Sequence, residues 1–73
     1  MYREFKVIGQ GGKTLKGAKN GVTIKHQMEV GKIVYSEDIG MDNEGDYLVL
    51  GPTNLGFLDW QCVHHTDLQE IEL

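Results

Sequence analysis

The sequence predicts an all-β domain, a small barrel or curled sheet of five to six short strands with at most one short helical turn. Three observations carry this. Apolar and polar residues alternate over short segments, ten glycines punctuate the chain, and only one brief polar segment has room for a helix. Closure matters at this length, because an open sheet leaves edges able to pair.

The elements follow in order. Residues 2–8 (Tyr-Arg-Glu-Phe-Lys-Val-Ile) place Phe5 and Val7 on one face and Glu4 and Lys6 on the other, the period of a half-buried strand. Gly9 to Lys13 is too rich in glycine to hold regular structure, and Thr14–Lys16 fits a short edge strand. Gly17–Gly21 turns the chain through Asn20-Gly21, and Val22–Lys25 alternates again with Val22 and Ile24 inward. Met28–Lys32 bends into a strand over Ile33–Ser36, where Val34 or its neighbours Ile33 and Tyr35 face the core. Glu37 to Asp46 is acidic and aperiodic, and is expected as a solvated loop, the longest connection in the chain.

The stretch from Gly45 to Val63 organises the rest. Two apolar runs, Tyr47–Leu50 and Leu55–Trp60, flank Gly-Pro-Thr-Asn in the pattern of a tight hairpin. After it, His64–Asp67 fits a single helical turn. Leu68–Leu73 closes as a last strand with Ile71 and Leu73 on one side and Glu70 and Glu72 on the other.

Seventy-three residues make one domain, 40% hydrophobic and 25% charged, which is ordinary for a globular chain and too apolar for a disordered one. A domain of this size buries only about 60% of the surface of its unfolded chain, so one core carries nearly all its stability. Cys62 is the single cysteine, which excludes an intrachain disulfide. The charged N-terminus lacks the apolar run of a signal peptide, and no apolar run reaches membrane-spanning length, so a cytoplasmic protein is expected. Charge is polarised. Residues 1–32 hold all seven basic residues and two acids, while residues 33–73 hold nine acids and no Lys or Arg.

Met28-Glu29-Val30-Gly31, then Gly45-Asp46-Tyr47-Leu48-Val49, then Gly56-Phe57-Leu58 resemble the bacterial SH3-like domains, in turn glycines and core aromatics, over about half the chain. The resemblance implies a small SH3-like barrel. It also implies two modes of binding: peptide docking on exposed aromatics, and the peptidoglycan binding of some members.

Groups able to carry chemistry are sparse. Gly9-Gln10-Gly11-Gly12-Lys13-Thr14 is similar to a phosphate loop, but Val7 stands where the first glycine is needed and no long helix follows. Cys62 with His64, His65 or His26 supplies too few spaced donors for zinc, so Cys62 is expected as a small buried apolar residue and the two later histidines as exposed ones. Asp38, Asp42, Asn43, Glu44 and Asp46 do not keep a calcium-loop frame around Gly45. No catalytic residue, metal or cofactor is expected, and the chain is read as a non-enzyme.

Binding is the remaining role. The preferred reading is a protein-interaction module that engages another protein through Tyr35, Tyr47 and Trp60 and through the acids Asp42, Glu44 and Asp46, in the style of small phage-type modulators of a host factor. The alternative is nucleic-acid binding by a basic rim of Lys13, Lys16, Lys19 and Lys25, set against an overall pI near 5.1.

Overall fold

The computed structural model describes residues 2–11, 13–14, 23–37 and 40–71. Among them the chain is all-β. Strands β1 (Tyr2–Val7), β4 (Ile33–Glu37), β5 (Asp46–Pro52), β6 (Leu58–His64) and β7 (Leu68–Glu70) form one antiparallel sheet in the order β6-β5-β4-β1-β7. Strands β2 (Lys13–Thr14) and β3 (Thr23–Ile24) pair separately. The expected helical turn is a 3-10 turn, His65–Asp67, between β6 and β7. The turn expected at Gly17–Gly21, the residues Leu15, Lys16 and Val22, and the end of the last strand at Glu72 and Leu73 lie outside the described residues.

The core lies on one face of the sheet. Phe5 and Val7 from β1, Val34 from β4, Val49 from β5, Val63 from β6 and Leu68 from β7 converge there with Met28. In β4, Val34 faces inward, while Ile33 and Tyr35 face outward. Tyr47 packs against the core, its ring tilted 45° to that of Phe5 with the centroids 4.6 Å apart.

Four expectations are corrected. The hairpin does not turn at Gly-Pro-Thr-Asn. Gly51 and Pro52 stay in β5, with Pro52 opposite Leu58, and the turn runs from Thr53 to Phe57. Thr53 closes it by donating its backbone N–H (3.0 Å) and its hydroxyl (2.8 Å) to the Phe57 carbonyl. Gly56 there adopts φ +89°, a left-handed conformation that favours glycine. Gly51 is not turn punctuation but a close approach, since a Cβ on it would run into Val34 Cγ1.

Asp46 is buried, not part of a solvated loop, because it already belongs to β5. Cys62 is exposed, not buried, since it alternates with buried Val63. Of the histidines expected at the surface, His65 is exposed and His64 only half-buried.

A polar clamp holds the loops against the core. His26 accepts the Met28 N–H at Nδ1 (3.0 Å), so its proton sits on Nε2, which donates to the Gly9 carbonyl (2.8 Å). The same nitrogen lies 3.5 Å from Asp67 Oδ2, and Asp67 Oδ1 accepts the Gly11 N–H (3.2 Å). Ile8 N–H donates to the Asp67 carbonyl at 2.8 Å. The loop after β1, the segment ahead of β4 and the 3-10 turn are thereby joined through two buried side chains.

Candidate protein-docking face

The face of the sheet away from the core is built by strand alternation. In β4, Val34 and Ser36 turn inward, so Ile33, Tyr35 and Glu37 turn outward. In β5 the inward set is Tyr47, Val49 and Gly51, which leaves Leu48 and Leu50 outward. In β6, Val63 points in and Cys62, Trp60 and Leu58 point out.

Register then lines these residues up. Glu4 lies opposite Tyr35, Tyr35 opposite Leu50, and Leu50 opposite Trp60, a row crossing four strands. Leu48 faces Cys62 on one side of the row, and Pro52 faces Leu58 on the other. Tyr35 is 45% exposed, Trp60 44% and Leu58 67%. A contiguous exposed apolar area of this kind is a candidate contact surface.

Of the residues predicted for protein binding, the structure brings Tyr35 and Trp60 together on this face, bridged by Leu50. It does not bring the others. Tyr47 is on the core side, with the Arg3 guanidinium carbon 5.9 Å from its ring centroid. Asp46 is buried. Asp42 is exposed, yet its Oδ1 accepts the Glu44 N–H (2.8 Å) and the Asp46 N–H (3.0 Å), so it shapes the loop that carries it. Glu44 is exposed in that loop.

Of the lysine rim, the β2–β3 pairing sets Lys13 opposite Ile24, the neighbour of Lys25. Lys13 is in β2, Lys25 is exposed just past β3, and Lys16 and Lys19 lie outside what is described. Among the described residues no group of three or more His, Cys, Asp and Glu side chains is placed to hold a metal ion. Nor is any helix among them long and apolar enough to cross a membrane.

Sequence reasoning missed Leu48, Leu50 and Leu58 as part of this face. Tyr47–Leu50 is apolar at every position, so its two sides cannot be told apart without a partner strand. It also missed the pairing of His26 with Asp67, 41 positions apart in the chain, for which no local pattern exists.

No protein-family model matches the chain, and no curated protein or solved structure matches it either.

Proposed function

We propose that this chain is a small non-enzymatic protein-interaction module that docks its partner on the outer face of the sheet, centred on Tyr35, Leu50 and Trp60. The observation that carries this reading is the row those residues form in register across β4, β5 and β6, with both aromatics nearly half exposed. Rigid aromatic side chains on a strand lattice lose little freedom on binding and bury large areas, which makes them the usual anchors of an interface. The all-β sheet and the 3-10 turn among the described residues support this reading, since the SH3-like resemblance also implies an all-β domain. A cytoplasmic setting belongs to the same reading and accords with an exposed, unpaired Cys62.

The test is site-specific photo-crosslinking. A benzophenone amino acid at position 58, on the docking face, captures a protein from the source cell; at position 70, exposed on β7 and paired with Phe5 on the other side of the sheet, it does not. Capture from position 58 is lost when Tyr35→Glu is added. Equal capture from both positions, or capture unchanged by Tyr35→Glu, would overturn the assignment. A gel-shift with single- and double-stranded DNA at low salt addresses the lysine-rim alternative, and no shift is expected.

A further inference from the structure

We propose that the occupant of this face is a second copy of the chain, seated face to face about a two-fold axis that runs along the Tyr35–Leu50–Trp60 row. This rests on the docking-face reading above and supplies its partner and geometry.

Charge selects the partner and the axis. No charged side chain interrupts Ile33, Tyr35, Leu48, Leu50, Leu58 and Trp60. At the end of the face nearer the β4–β5 connection stand Glu37, at the end of β4, and the exposed loop acids Asp42 and Glu44. At the other end stand Lys6, opposite Ile33, and exposed Lys32, just ahead of β4, with one acid, Glu29, beside Pro52, so two lysines against one carboxylate leave this end net basic. The surface is therefore acidic at one end, apolar in the middle and basic at the other, which is a self-complementary arrangement.

Two sheets stacked face to face can be related by an axis along their strands or by one across them. An axis along the strands sets acid over acid and Lys over Lys. An axis across them sets Glu37 of one copy beside Lys6 and Lys32 of the other. The Tyr35–Leu50–Trp60 row is the midline of the face and crosses the strands, so it lies on that second axis. Trp60 then meets its own symmetry mate, and Leu58 of each copy lies over Cys62 of the other. Glu4, on β1, lies on the same axis and faces its own symmetry mate, but at the rim of the pair, where water screens the repulsion.

Size is consistent with this pairing. Aromatic and aliphatic side chains exposed to this degree offer roughly 500 Å² per copy, so two copies bury about 1,000 Å², the lower end of specific interfaces. Association is then weak and concentration-dependent.

The experiment has four arms on the intact chain. Sedimentation equilibrium from about 5 µM to 1 mM shows a reversible monomer–dimer equilibrium, and the fluorescence of the single Trp shifts to the blue in step with mass. Trp60→Glu, or Leu58→Glu should the first variant fold poorly, stays monomeric with an unchanged far-ultraviolet spectrum. Glu37→Lys and Lys6→Glu each weaken the dimer at least several-fold, and the two together restore it. Finally, a short bis-maleimide links copies of Leu58→Cys through Cys62. It links the unaltered protein poorly, because the two Cys62 residues sit four strand positions apart across the axis, about 13 Å.

A wild-type chain that remains monomeric at 1 mM overturns the second copy as occupant. The docking face itself is then judged independently by the position-58 capture. A dimer untouched by both glutamate variants overturns the two readings together. Efficient linkage of unaltered Cys62 to Cys62, or no rescue by the charge swap, overturns the axis.

Discussion

Gly51 and Val34 lie so close across β4 and β5 that the glycine has no room for a Cβ: one placed there would overlap Val34 Cγ1 and sit 3.1 Å from Val34 Cβ. Val34 is wholly buried, with the core behind it. Neither backbone can withdraw without parting paired strands. Gly51→Ala is therefore expected to cost about 1–3 kcal/mol, as overpacking of a filled core does. In a domain this small each kcal/mol lowers the melting temperature by about 4–8 °C. Thermal melts of Gly51→Ala, and of Gly51→Ala with Val34→Ala to relieve the overlap, check it. A single variant as stable as wild type would show that the two strands are not held this close.

This pair also marks how far the sequence was legible. Gly51-Pro52 has the composition of a turn, and a turn was expected there. Its glycine answers to a neighbour from β4, a non-local demand that no window around position 51 contains. Where the pattern depends only on nearby residues it was readable: Phe5 and Val7 face inward as their alternation requires, and His65–Asp67 forms its single turn. The candidate face was half legible. Tyr35 and Trp60 stand out as aromatics, but placing them in one row needs the register of three strands. Asp46 was misplaced because an acidic run looks solvated whichever residue happens to begin the strand.

The alternation along β6 sets Val63 against Cys62. Val63→Ala removes fully buried methyl groups from the core and is expected to cost about 1–3 kcal/mol, including the space it leaves. Cys62→Ala changes an exposed position and stays within about 0.5 kcal/mol of wild type. Urea denaturation of both variants reads this difference in midpoint. Equal midpoints would mean that the strand presents the opposite face to the core.

Exposure of Cys62 has a chemical readout as well. At low micromolar protein, iodoacetamide modifies Cys62 without denaturant, at a rate within about tenfold of that measured in urea. If alkylation required unfolding, its rate would fall by the several orders of magnitude that separate folded from unfolded populations, and the outward assignment of this position would fail.

His26 is the last test, because its two ring nitrogens serve two different segments. Met28 N–H donates to Nδ1 and Nε2 donates to the Gly9 carbonyl, all in a region where His26 and Asp67 side chains are only 2% and 8% exposed. Replacing the ring with Ala leaves the Met28 N–H without its acceptor in a buried place, at a cost of about 1–3 kcal/mol before any loss of packing. His26→Gln keeps one oxygen and one amide nitrogen, so it can retain part of both bonds and should be damaged less. Native-state hydrogen exchange separates this local effect from a general weakening. The amides of Met28 and Gly11 lose protection in His26→Ala beyond what the global stability change explains, while the Val49 amide follows the global change alone. If protection at Met28 and Gly11 fell only in proportion to global stability, the clamp would not be joining those loops to the 3-10 turn.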